Sequence, residues 1–191
     1  SKAAITVRVG TQTRIGHLRY FEGKPEFEKI FDYVIRRDLG LPLDKPVTPD
    51  LVEAYMQKLA ENLANQAASY TDLNFLHGSL TAGNQTTKGI PIDFGTFSVF
   101  DALHGNHNYL YEQLYLGNQA KNISDYLIKV LRYLKKSNYP ADISEQETTK
   151  KFNAIYRKKL NSLRLNRLGL SEEEIKKLPQ ELKQAFFSST Q

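Results

Sequence analysis

The sequence predicts a mainly α fold with a short β-hairpin and an N-terminal strand. Three observations carry that prediction. Apolar residues recur at helical spacing over several long stretches. A segment rich in Gly, Thr and Asn interrupts them from Asn74 to Gly95. The first residues, Ala3 to Val9, alternate and are β-branched.

The elements follow in order. Ala3–Val9 reads as a strand, and Gly10 to Gly16 as a polar turn containing Arg14. Pro25 opens a helix with Phe27, Ile30, Phe31, Val34 and Ile35 on one face and Gly40 as its stop. Thr48-Pro49-Asp50 starts a second helix, with a side-chain cap and then Pro in the first turn. Its stripe is Leu51, Val52, Tyr55, Met56, Leu59 and Leu63, and it is expected to end near Ala68. In the Asn74–Gly95 segment, Phe75-Leu76 and Ile90 to Ile92 read as two short strands flanking a loop, with Gly89 near the turn. Helical spacing returns from Asn108 through Ile123, Tyr126, Leu127, Val130, Leu131 and Leu134, and stops at Asn138-Tyr139-Pro140. Ser144 with Glu147, and Ser171 with Glu174, are capping boxes that open two further helices. Residues 187–191 are expected to form a frayed tail.

The 191 residues allow a sizeable core, with 40% hydrophobic and 25% charged residues. A net charge of +5 suits anionic ligands, but no Lys/Arg block is dense enough to read as a nucleic-acid tail. The absence of cysteine excludes disulfides and thiolate chemistry. No apolar run approaches the ~20 residues of a membrane span, and no secretory signal opens the chain, which points to a cytoplasmic setting. The first residue is Ser, so the chain is expected to be a piece of a longer product.

The chemistry concentrates in His77-Gly78-Ser79-Leu80-Thr81-Ala82-Gly83-Asn84 and in Ile92-Asp93-Phe94-Gly95. Asn84 and Asp93 stand in the order of the two metal-holding stations of protein-kinase-like phosphoryl chemistry. Their oxygens are hard donors suited to Mg²⁺ that also carries nucleotide phosphates. His77 is expected to orient the loop, since no second His stands at ligand spacing. Arg8 and Arg14 could clamp phosphate or could be surface charge. Lys158-Lys159, Arg164 and Arg167 read as the exposed face of a helix.

These motifs resemble the selenoprotein O family. The family's loop runs H-G-V-M-N-T-D-N and then I-D-Y-G-P-F, against H-G-S-L-T-A-G-N and I-D-F-G-T-F here. The interval from Asn84 to Asp93 is the same. Val7-Arg8-Val9, Arg14-Ile15-Gly16-His17 and Tyr20-Phe21-Glu22 resemble an upstream family segment. Asn106-His107 and Asn118-Gln119 resemble a downstream pair at the same interval. The resemblance covers about Thr6 to Leu134. It implies a protein-kinase-like fold and transfer of AMP from ATP to Ser, Thr or Tyr hydroxyls of proteins. Residues 1–191 would form a kinase-like C-lobe, with the N-lobe in the longer gene product. Asn84 and Asp93 would hold Mg²⁺, and Arg8 and Arg14 would contact ATP phosphates. Family members in eukaryotes are mitochondrial.

The chain also departs from the family. The acid before the Asn, its general base, is Gly83 here. The interval between the two arginines is one residue shorter. Tyr109 and Gln113 stand where the family has charged residues. The expectation is therefore an isolated chain that is inactive or nearly so. The rival is a degenerate, pseudokinase-like module that binds a protein partner without catalysis. A small-molecule phosphotransferase fits less well, because Ser79 stands where that scheme needs an Asp.

Overall fold

The computed structural model describes residues 13–95, 97–99, 109–137, 139 and 142–181. The predicted strand Ala3–Val9, Arg8, Asn106-His107 and the tail 187–191 lie outside them. The described part is mainly helical, as the apolar spacing predicts.

Among the described residues five α-helices follow one another: α1 (Phe27–Leu39), α2 (Pro49–Asp72), α3 (Tyr109–Lys136), α4 (Glu145–Arg167) and α5 (Glu172–Lys177). The organising element is α2. Its buried stripe of Val52, Tyr55, Met56, Leu59, Ala60, Leu63, Ala64 and Ala67 receives the other helices on several sides. From α1 come Phe27, Phe31, Val34 and Ile35. From α3 come Ile123, Leu127, Val130, Leu131 and Leu134, and from α4 Phe152, with Ile155 and Tyr156 partly buried against the same cluster. Alanines at three positions of the α2 stripe let the neighbouring helices approach closely. Among the described residues, no helix is long and apolar enough to cross a membrane.

The helix ends follow the signals in the sequence with two corrections. At the end of α1, Gly40 adopts φ 70° and donates to the carbonyls of Arg36 and Arg37, while Leu41 N–H returns to Arg36. That left-handed stop is one a Cβ would strain. Ser144 Oγ accepts from Glu147 N–H at 2.9 Å, so α4 has its cap. The Ser171–Glu174 box closes in both directions, at 2.7 and 3.3 Å. Thr48 sits at the N-cap of α2, yet its side chain makes no cap hydrogen bond there. Helix α2 also runs four residues past the expected end, to Asp72. The extra turn is held from outside: Thr71 Oγ1 meets the Tyr156 hydroxyl at 3.0 Å, and Arg167 donates to Asp72 Oδ2 at 2.7 Å. Tertiary bonds from α4 thus extend a helix that local propensity would end.

The strands differ from expectation in pairing. β1 (Phe75–Leu76) pairs antiparallel with β2 (Ser98–Val99), with Phe75 opposite Val99. It does not pair with Ile90–Ile92. That segment folds back on residues 84–86 instead, through an isolated bridge between Gln85 and Pro91 and through Thr86 N–H to the Ile90 carbonyl at 3.0 Å. Pro91 has no N–H to extend a longer ladder.

Candidate functional site

The site is built on a tight hairpin that runs from Asn84 to Asp93. Ile92 N–H donates to the Asn84 carbonyl at 2.9 Å, so the two ends of the hairpin lie side by side. Gly89 makes its turn at φ 77°, with N–H to the Thr86 carbonyl at 3.0 Å. A Cβ at Gly89 would stand 2.9 Å from Asn62 Cβ and 3.3 Å from a Leu59 methyl. The turn therefore needs glycine both for its backbone and for its seat on α2.

Below the turn lies a buried polar base. Gln85, Thr86 and Thr87 are fully buried. Gln85 exchanges side-chain hydrogen bonds with Gln66 of α2: Gln85 Nε2 donates at 2.6 Å and Gln66 Nε2 at 3.4 Å. Thr87 Oγ1 donates to Asp38 Oδ2 at 2.8 Å. Arg37 donates to Asp38, to Thr13 Oγ1 and to Thr87 Oγ1 at 2.8 to 2.9 Å. Tyr55 gives its hydroxyl proton to the Thr87 carbonyl at 2.8 Å, and burial raises its pKa well above the usual range. Every bond here answers a polar group that would otherwise be buried unpaired.

Above the turn lie the predicted residues. Asn84 ends the short 3-10 helix Ala82–Asn84. Its Nδ2 donates to the Ser79 carbonyl at 2.9 Å and to Asp93 Oδ2 at 3.3 Å. The structure thus brings Asn84 and Asp93 together. With the amide nitrogen committed, the Asn84 carbonyl oxygen accepts no hydrogen bond among the described residues. Asp93 is exposed and holds φ 63°, a left-handed backbone that non-glycine residues seldom adopt.

Two further residues fix that strained position. His77 is buried, and its Nε2 lies 3.0 Å from the Ile92 carbonyl. A carbonyl only accepts, so the neutral ring carries its proton on Nε2. Desolvation lowers the His77 pKa, against the opposing pull of Ile92 and Asp93. Helix α3 reaches the same loop through Gln119. That amide accepts from His77 N–H at 3.0 Å and donates to the Phe75 carbonyl at 2.8 Å.

Arg14 is half-buried and pairs its backbone with Thr86. This sets it beside the hairpin strand that Asn84 begins. Among the described residues its guanidinium makes no hydrogen bond or ion pair. Two residues on, Gly16 lies against the 82–83 turn, where a Cβ would come within 2.9 Å of Gly83 N. At Gly83 a Cβ would meet only Thr81 Oγ1, at 3.5 Å. Gly16 is therefore required by packing, while Gly83 is not.

The donor set fits a shared divalent cation better than a closed one. Asn84 and Asp93 offer two hard oxygens on an open rim, which suits Mg²⁺ completed by water and phosphate. Among the described residues, no group of three or more His, Cys, Asp or Glu could hold a metal by itself. A small cavity of about 110 Å³ lies elsewhere, between α2 and the start of α4 near Glu53, Met56 and Lys151.

Sequence reasoning missed Gln66, Arg37, Asp38 and Thr13 as supports of the site. Only the adjacent Arg37-Asp38 pair in the last turn of α1 could have hinted at them.

Comparison with known proteins concerns the chain as a whole. The family model described as "Protein adenylyltransferase SelO" matches residues 1–190. A protein nucleotidyltransferase YdiU of Bacillus cytotoxicus is 28% identical over 192 residues, covering 94% of this chain and 38% of the relative. The proteins of the same name from Burkholderia pseudomallei and Cupriavidus pinatubonensis are 30% and 28% identical over 112 residues. Each match covers 55% of this chain and 20% of the relative. The chain thus spans well under half the length of these relatives.

Proposed function

The chain belongs to the SelO family of protein adenylyltransferases, and on that premise we propose that it is the kinase-like C-lobe of a nucleotidyltransferase. Its part is to hold Mg²⁺·ATP for AMP transfer to Ser, Thr or Tyr hydroxyls of proteins. The observation that carries this reading is the contact of Asn84 with Asp93 at the open end of a hairpin whose base is locked.

In this reading Asn84 and Asp93 hold the cation, and Arg14, with Arg8, contacts phosphate oxygens. Bound Mg²⁺ would neutralise charge that builds on the phosphates as pyrophosphate leaves. The bridge from Arg14 to Thr86 holds the Arg14 backbone beside the segment that leads to Asn84, within reach of the rim. His77 and Gln119 are positioning residues, holding the backbone on either side of the rim. The N-lobe that completes a nucleotide cleft belongs to the longer gene product, and the setting is cytoplasmic.

A specific observation favours the second reading, a degenerate module that binds a protein partner. Gly83 offers no side chain at the family's general-base position, although the backbone leaves room for one. Losing a positioned base costs ~10² to 10⁴ in rate. The isolated chain is therefore expected to bind Mg²⁺·ATP weakly and to transfer little or no AMP.

The test is label transfer from α-labelled ATP by the full-length gene product, beside its Asp93→Ala variant. The first reading predicts transfer that the substitution abolishes. Transfer that survives it contradicts the metal role. Absence of both transfer and Mg²⁺-dependent ATP binding favours the second reading.

A further inference from the structure

The exposed face of α4 carries a charge pattern that neither the core nor the nucleotide site uses. From Thr148 to Arg167 the helix contains seven Lys or Arg and no Asp or Glu. Its other face is spent on the core through Phe152, Ile155 and Tyr156. Arg167 is committed to Asp72, and Lys159 is half-buried. Lys150, Arg157 and Lys158 are exposed and Arg164 is half-exposed. None of these four makes an ion pair among the described residues. Surface helices ordinarily set an acid three or four residues from each base; Glu147 stands so for Lys150 and Lys151, but from Arg157 to Arg167 that neutralisation is missing.

The spacing is regular. Lys150, Arg157 and Arg164 are seven residues apart, so they stand on one face about 10.5 Å from each other. Ala154 and Asn161 lie between them as a floor of short side chains. We infer that this strip docks an acidic helix of a partner protein, one with carboxylates at the matching seven-residue interval. Charges at that interval are the device by which packed helices choose partners, and the short floor lets a second helix come close.

Other anionic surfaces fit less well. A membrane surface takes a helix whose apolar stripe is free to embed, whereas the stripe of α4 faces α2. Readout of DNA requires a helix to enter a groove roughly 12 Å wide, and α4 lies flat against α2 along the opposite face. Single strands need aromatic rings for base stacking. The two aromatics of α4, Phe152 and Tyr156, pack with the core and stack on each other at 6.3 Å. The inference stands independently of the nucleotide reading.

The experiment titrates four probes onto the chain. They are a helical peptide with glutamate at heptad spacing, the same peptide with glutamine, a short DNA duplex, and vesicles containing phosphatidylserine. The glutamate peptide is expected to bind and the glutamine peptide not, with affinity falling as salt rises. Combining Lys150→Gln, Arg157→Gln and Arg164→Gln should weaken binding about tenfold. The control pair Lys121→Gln and Lys129→Gln, on the exposed side of α3, should leave it unchanged. If the triple variant does not fold, Arg157→Gln alone carries the test with a smaller loss. Tighter binding of the duplex or the vesicles than of the peptide, or peptide binding that ignores these substitutions, overturns the inference.

Discussion

The two ends of the hairpin between Asn84 and Asp93 are built to opposite rules. At the turn, Gln85, Thr86 and Thr87 are fully buried, and α1, α2 and Thr13 satisfy their polar groups. At the rim, Asp93 is exposed, holds a strained backbone and makes one long contact, to Asn84. The difference teaches how a short irregular segment can carry ligands. Stability is gathered where no ligand reaches, and the open rim spends some of it to keep oxygens free. Substitutions in the base should therefore move stability, and substitutions at the rim should move binding.

The largest stability effect is expected in the base. Asp38→Ala removes the carboxylate that pairs with Arg37 and accepts from the Thr87 hydroxyl. Breaking a buried pair of this kind costs about 3 kcal/mol, which should lower the Tm by roughly 6–12 °C for a chain of this size. At a temperature where the variant is folded, Mg²⁺-dependent ATP binding should fall much less than stability does. A Tm within a degree of the parent would show that the network is not a foundation.

Gly16→Ala tests the seam between base and rim. Its Cβ would press on Gly83 N at 2.9 Å, a backbone atom that must shift. The cost should be about 1–3 kcal/mol, read by chemical denaturation, and ATP binding should weaken with it because the shift reaches Asn84.

A smaller effect attends pH. Burial lowers the His77 pKa from 6.5, so the unfolded chain takes up a proton more readily than the folded one. Stability from the neutral ring is complete above that value and is lost progressively as pH falls below it. Thermal melts between neutral pH and about pH 5 should show the decline, and His77→Gln should flatten it. A decline that persists in the variant would assign it to other groups.

Gly83→Asp should change stability least, within about 0.5 kcal/mol, since a Cβ there meets only Thr81 Oγ1. On the proposed reading, it should raise AMP transfer by the full-length product if the lack of a base at that position limits the reaction. An Asp that fits and changes nothing would favour the non-catalytic module.

The helices were legible because their signals are local. The Gly40 stop, the Ser144 and Ser171 boxes and the apolar stripes each act within a turn or two. The Asn84–Asp93 pair was legible through its motif, and its interval leaves room for a tight hairpin. What stayed hidden depends on residues distant in sequence. Ser98–Val99 pairs with Phe75–Leu76 across the whole loop, and nothing in its composition marks it as the partner. The last turn of α2 exists because Tyr156 and Arg167 reach back to it. Arg37 and Asp38 read as ordinary charges at a helix end, yet they hold a turn fifty residues away. The left-handed backbone of Asp93 has no sequence signal, because it is imposed by the bonds around Ile92.

One measurement bears most directly on the division between base and rim. Thermal melts of the full-length product and of Asp93→Ala would be recorded with ATP and Mg²⁺, and with ATP and a chelator. A ligand bound to the folded state raises the Tm by mass action. The account predicts a Mg²⁺-dependent rise in the parent that Asp93→Ala loses, while the Tm without ligand falls by no more than a few degrees, because alanine takes the left-handed backbone less easily than aspartate. A variant that melts well below the parent without ligand, or that keeps the full Mg²⁺-dependent rise, would contradict it.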